Sequence, residues 1–222
     1  EEWIKGICDS LSRLGVQIVQ KELKFEEFNL EYLNLGRKNI VFFDLETTGR
    51  DPEEGHEIIE VFALKTDYRG NKISDFYSLV KPERRMSYGA FKAHSKNNLD
   101  LNGAPEQSEV LRSFREFIGD SVLCGYNICK FDIPFLNYSM KKLGIPILKW
   151  NHTIDIFEIA KEQLQKELYG IPSQRLSDVA KYLGIETGES HKAKDDVRAV
   201  KEIFTKIYSE RKDRIRSYIK IV

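Results

Sequence analysis

No stretch of this 222-residue sequence is apolar for long enough to cross a membrane, and no secretory leader is visible, so a soluble cytoplasmic protein is expected. Cysteine is scarce: Cys8, Cys124 and Cys129 are an odd number without zinc-type spacing. Their scarcity excludes a disulfide framework and a thiolate metal site, leaving three small, reduced core fillers. An excess of either charge is missing too. Thirty-five basic residues balance thirty-five acidic ones, which argues against tight passive binding of DNA or RNA, though not against gripping a strand end. Internal repeats and low-complexity tracts are absent, so the length allows one good-sized core with small extensions. The sequence opens at Glu1 instead of Met, and a fragment or processed form is expected.

What the sequence does contain is Asn39 to Gly49, NIVFFDLETTG. Ile40 to Phe43 is an unbroken β-branched and aromatic run, the pattern of a strand buried on both faces. Asp44 and Glu46 follow, and at strand periodicity residues two apart share a face. Two adjacent carboxylates repel unless a cation lies between them, and hard oxygen ligands suit Mg²⁺ or Mn²⁺. The ordinary alternative is a solvated strand end with Thr47, Thr48 and Gly49 as a plain turn. Partners elsewhere in the chain decide between the two.

Residues 2–15 have helical spacing, and residues 15–37 are too apolar for a free linker. Strands are expected at 57–66 and 72–81, making an antiparallel meander with the first, and a shorter strand at 121–126. A long irregular loop covers 86–105. Helical periodicity appears at 106–118, 132–143, 155–166, 176–183 and 193–216, so the class is α/β. The expected organisation is an N-terminal extension at 1–38, a catalytic unit at 39–208 and a basic helical tail at 209–222 whose apolar end, Ile219, Ile221 and Val222, continues toward a partner domain.

Two further constellations hold acids. In GYNICKFDIPF, residues 125–135, a strand runs into a loop and then into a helix, with Asp132 at its entrance, where an ordinary N-cap would also place an aspartate. In HKAKDDVRAV, residues 191–200, a helix starts just after His191 and carries Asp195 and Asp196 in its first turn. The helix dipole favours acids there with or without chemistry, and helix physics does not choose between the two.

FDLETTG, NICKFD and H-x-A-x-x-D, in this order, resemble the three motifs of the DEDD-type 3′ to 5′ exonucleases, the DnaQ-like superfamily, in its histidine-containing branch, over roughly residues 39–208. GHEIIEVFAL at 55–64 and AFKAH at 90–94 look like the proofreading epsilon subunit of bacterial DNA polymerase III and its relatives. Those relatives commonly follow the second histidine with glycine, where this chain has Ser95. The resemblance implies a ribonuclease-H-like fold: a mixed five-stranded sheet, its first three strands antiparallel, flanked by helices. It implies two divalent cations, Mg²⁺ or Mn²⁺, held by Asp44, Glu46, Asp132 and Asp196, with the motif spacing selecting Asp196 over Asp195. His191 would take the proton from the attacking water. Thr47, Thr48 and Gly49, with His94, Asn127 and Phe131, would hold the terminal nucleotide. The implied activity is release of nucleoside 5′-monophosphates from single-stranded or frayed DNA 3′ ends, in proofreading or repair, with a DNA polymerase as partner. RNA 3′-end trimming shares all five motif residues, and a docking module for a polymerase or helicase is the alternative of another class. Lys81 with Arg84 and Arg85, and Lys192 with Lys194, are candidate phosphate contacts, although solvated surface is the commoner explanation of such clusters.

Overall fold

Strand β1, Ile40–Thr47, is buried along its length except at half-buried Asp44. Its alternation sends Ile40 and Phe42 into one core and Val41, Phe43 and Leu45 into another. A strand apolar on both faces needs a helical layer on each side, and the computed structural model, which describes residues 33–84, 101–149, 151–163, 173–188 and 192–222, supplies both. Helices α1 (Gln107–Ile118) and α2 (Asp132–Lys142) cover the Val41 and Phe43 face. Helices α3 (Ile156–Gln163), α4 (Leu176–Tyr182) and α5 (Ala193–Ile215) cover the Ile40 and Phe42 face. Phe204 of α5 packs on Phe42 with ring centroids 5.9 Å apart, and Phe114 of α1 on Phe43 at 5.8 Å.

With β2 (Ile58–Thr66), β3 (Lys72–Leu79), β4 (Val122–Gly125), β5 (His152–Asp155) and β6 (Ile219–Ile221), the sheet order is β3-β2-β1-β4-β5-β6. The first three strands are antiparallel, β1, β4 and β5 are parallel, and β6 returns antiparallel to β5. The sheet therefore has six strands where five were expected. The chain end is corrected as well: 209–222 is not a helical tail. Helix α5 stops at Ile215, a 3₁₀ turn follows at Arg216–Tyr218, and Ile219 and Ile221 pair with Ile154 and His152. Pairing there satisfies the outer edge of β5, which would otherwise present unpaired backbone groups. Leu33 and Leu35 are buried in the α5-side core, so the end of the apolar stretch ahead of β1 packs on the domain. The helix expected at 2–15 and the long loop over 86–100 lie outside the described residues. No described helix is long and apolar enough to cross a membrane. Cys124 is buried and Cys129 half-buried, as filler thiols should be, and Cys8 lies outside the described residues.

Candidate active site

Asp44 and Glu46 continue the Ile40 and Phe42 face of β1, the face that α5 crosses. The first turn of α5 thus meets them, and one carboxylate oxygen from each of Asp44, Glu46 and Asp196 lies within 4.8 Å of the others. Asp195 takes no part in that cluster. Its carboxylate faces Arg198 at 3.8 Å and lies beneath Gly188, where an added Cβ would come within 2.5 Å of it. The choice that helix physics left open therefore falls on Asp196.

Asp132 is the first residue of α2 and does not cap it. Helix α2 starts where β4 has ended while β1 continues, and Asp132 Oδ1 accepts the Leu45 backbone N–H at 3.1 Å. That bond fixes a buried carboxylate between the two central strands, beside Asp44 and Glu46. Burial, then the neighbouring Asp132, Glu46, Asp196 and Glu60, push the Asp44 carboxyl well above its ordinary range. Burial raises Asp132 to about 7, with Glu46 adding to it and the Leu45 N–H opposing it. Acids placed so close in a low-dielectric site stay ionised only with a cation among them. All the donors are hard oxygens, as a divalent ion such as Mg²⁺ or Mn²⁺ requires.

Two acids at this site were not singled out from the sequence. Glu60 on β2 stands opposite Glu46 in the antiparallel register, is 5% exposed and bonds the Tyr77 hydroxyl. Asp155, at the end of β5, holds the loop that delivers Asp132. Its Oδ1 accepts the N–H of Asn127 at 2.8 Å and of Phe157 at 3.1 Å, and its Oδ2 that of Cys129 at 3.1 Å. Those bonds secure Asn127 at φ 61°, a left-handed conformation that asparagine tolerates better than most residues. Asp155→Ala strips three amides of a charged acceptor and is expected to cost on the order of 3 kcal/mol of stability. Urea denaturation checks this, and an unchanged midpoint would remove Asp155 from the loop's support.

The remaining residues expected at the site fall into three groups. Asn127 and Phe131 are half-buried on the loop that ends at Asp132, Phe131 packing against Phe135 with ring centroids 5.8 Å apart. Thr47 ends β1, and Thr48 and Gly49 form the turn that follows. Thr48 has no exposed surface, and both its amide and its hydroxyl are bonded to the Glu57 backbone. His94 and His191 lie outside the described residues. Of the basic clusters, Lys81 is paired with Glu106 at 2.9 Å and Arg84 donates to the Glu54 carbonyl, which fits the structural reading, and Arg85 lies outside the described residues. Lys192 and Lys194 are exposed beside the first turn of α5.

Residues 41–204 match the family model described as Exonuclease. Over 134 residues the chain is 33% identical to the DNA polymerase III subunit epsilon of Rickettsia typhi, covering 59% of this chain and 58% of that protein. Over 210 residues it is 33% identical to the DNA polymerase III PolC-type of Clostridium perfringens, covering 95% of this chain and 13% of that one. The chain thus spans a little over half of the epsilon relative and a small part of the PolC relative. Exonuclease I, solved to explain how processivity is achieved, superposes with a TM-score of 0.73 at 22% identity, over 82% of this chain and 43% of that one. E. coli exonuclease I in complex with a dT13 oligonucleotide gives 0.73 at 20%, with the same coverage. Likeness at that identity establishes the fold alone, the expected ribonuclease-H-like α/β sheet.

Proposed function

The chain belongs to the exonuclease family, and from that premise we propose that it is a metal-dependent 3′ to 5′ exonuclease. It would release nucleoside 5′-monophosphates from single-stranded or frayed DNA 3′ ends, in proofreading or repair. The observation that carries this reading is the carboxylate cluster of Asp44, Glu46 and Asp196 within 4.8 Å, with Asp132 buried alongside. These four residues would hold two divalent cations, Mg²⁺ or Mn²⁺. When bound, such ions neutralise charge on a phosphodiester and supply a nucleophile at neutral pH.

The chain's own groups do the rest. The strand and the two helices would hold the four carboxylates close before any ligand arrives, which limits the reorganisation the reaction requires. His191, by its place in the motif, accepts the proton of the attacking water. The turn at Thr47 and Gly49, with His94, Asn127 and Phe131, receives the last nucleotide, which must be unpaired to enter. A mismatched terminus frays more readily than a matched one, and that difference would give proofreading its selectivity. Exonuclease I crystallised with dT13 is a fold neighbour, which favours DNA as substrate. The epsilon and PolC relatives favour association with a DNA polymerase in the cytoplasm, as a subunit or as part of a longer chain.

A 5′-labelled single-stranded DNA given Mg²⁺ is expected to shorten stepwise from its 3′ end, with 5′-monophosphates as product and no reaction under chelator. The matched RNA strand should be degraded at least about tenfold more slowly. Faster loss of RNA would point to 3′-end trimming of RNA, and internal or 5′ cleavage would end the exonuclease reading.

A further inference from the structure

The turn that follows Glu46 is held from above by a side chain to which the resemblance assigns no role. Residues 50–57 make a short excursion from the sheet: Asp51 caps a 3₁₀ turn at Pro52–Glu54, Gly55 closes it at φ 80°, and the chain returns into β2. This excursion lays the His56 ring on Gly49. A Cβ added to Gly49 would lie 2.2–2.5 Å from three atoms of that ring. Gly49 is not among the residues with positive φ, so what demands glycine here is the imidazole and not the backbone.

The ring is bonded as well as packed. Thr48 Oγ1 accepts the Glu57 N–H at 2.9 Å and lies 3.2 Å from His56 Nδ1, while the Thr48 N–H donates to the Glu57 carbonyl at 2.8 Å. One hydrogen bond thus joins the Thr48 hydroxyl to the ring at Nδ1, and Nε2 on the far side of the ring faces Glu54 Oε2 at 3.9 Å. Thr47 Oγ1 completes the turn by donating to the Gly49 carbonyl at 2.6 Å. The turn is therefore held by the Glu57 backbone on one side and by the His56 ring on the other.

The turn lies at the carboxyl end of β1, the position where open α/β sheets bind their ligands, and only Thr47 separates it from Glu46. We propose that His56 is a positioning residue for the substrate: packed on Gly49 and bonded to Thr48, it fixes the turn against which the terminal nucleotide is seated. This inference rests on the exonuclease reading given above.

The test is a double-mutant cycle between His56 and Gly49, read in KM, kcat and thermal midpoint on a 5′-labelled single strand. Gly49→Ala alone is expected to raise KM about tenfold, because the methyl displaces the ring and shifts the turn. In a His56→Ala background the same change should cost no more than about twofold, since the space is then open. His56→Ala itself should raise KM about fivefold with kcat nearly kept, the size expected for one lost hydrogen bond. His56→Asn, whose side-chain amide can bond the Thr48 hydroxyl in place of Nδ1, should recover most of that loss. Equal Gly49→Ala costs in both backgrounds, or a lowered midpoint with KM unmoved in all variants of an active enzyme, would overturn the positioning role alone. A wild-type protein inert on every 3′ end would overturn the exonuclease reading, and the assignment of the clamp to a substrate with it, even if the cycle still showed coupling in the midpoint.

Discussion

Asp44→Ala should leave no measurable hydrolysis, a loss of at least about a thousandfold, while Asp195→Asn keeps kcat within about twofold. Asp44 sits at the centre of the cluster: Asp132, Glu46, Asp196 and Glu60 all act on it, and its oxygen is one of the three within 4.8 Å. Asp44, Glu46, Asp132 and Asp196 are the residues that would hold the divalent cations, and removing the one on which the others act would take away several kcal/mol of charge stabilisation, each 1.36 kcal/mol of which is about a factor of ten in rate. Unfolding would not account for the loss. Deleting one of several mutually repelling buried carboxylates relieves the fold, so the metal-free Asp44→Ala protein should melt no lower than wild type. Asp195 is the control on the same helical turn, with its carboxylate directed at Arg198 and away from the cluster. Steady-state assays beside thermal melts check the pair. An active Asp44→Ala enzyme, or an Asp195→Asn enzyme as dead as Asp44→Ala, would mean that another set of carboxylates does the chemistry.

The centre of this site was legible because it follows from local periodicity. A strand apolar on both faces at Ile40 to Phe43, continued by acids at positions 44 and 46, fixes both the strand and the face on which the acids project. The stripe of Ala193, Val197, Val200 and Phe204 likewise set α5 and put two acids in its first turn. What was not legible depended on partners distant in sequence. β6 has three residues, too few to carry an alternation that stands out from a loop, and β5, HTID, opens on two polar residues and lacks the apolar run that marks β4. Their existence depends on each other and on β4. Asp155 reads as the residue before a helix, and only the folded loop reveals that its carboxylate gathers the amides of Asn127 and Cys129. Gly49 reads as a turn glycine that lets the backbone near a ligand. The actual constraint is the His56 ring seven residues on, placed there by an excursion whose shape the sequence does not print.

The metal-free protein is expected to lose stability as pH rises from 5 to 8, and a divalent cation should restore it. The acid form of Asp132 is favoured in the fold, where its carboxyl is raised to about 7, against about 4 in an unfolded chain. Below about pH 4 both states hold the proton and the fold is not penalised. Between about 4 and 7 the unfolded chain ionises first, so folding becomes steadily less favourable, and above about 7 the cost is constant, on the order of a few kcal/mol. Asp44, raised well above its ordinary range, adds in the same direction. For a chain of this length each kcal/mol moves the thermal midpoint by about 2–4 °C, so a fall of several degrees between pH 5 and pH 8 is expected under chelator. Binding that selects the folded state adds stability as RT ln(1 + [L]/Kd). Millimolar Mg²⁺ or Mn²⁺ should therefore raise the midpoint strongly at pH 8 and little at pH 5, where protons compete for the same oxygens. Asp132→Asn should flatten most of the pH dependence, because an amide keeps the size of the side chain without the charge. A metal-free midpoint that stayed level or rose between pH 5 and pH 8 would show that the carboxylates do not repel one another as their burial and spacing require.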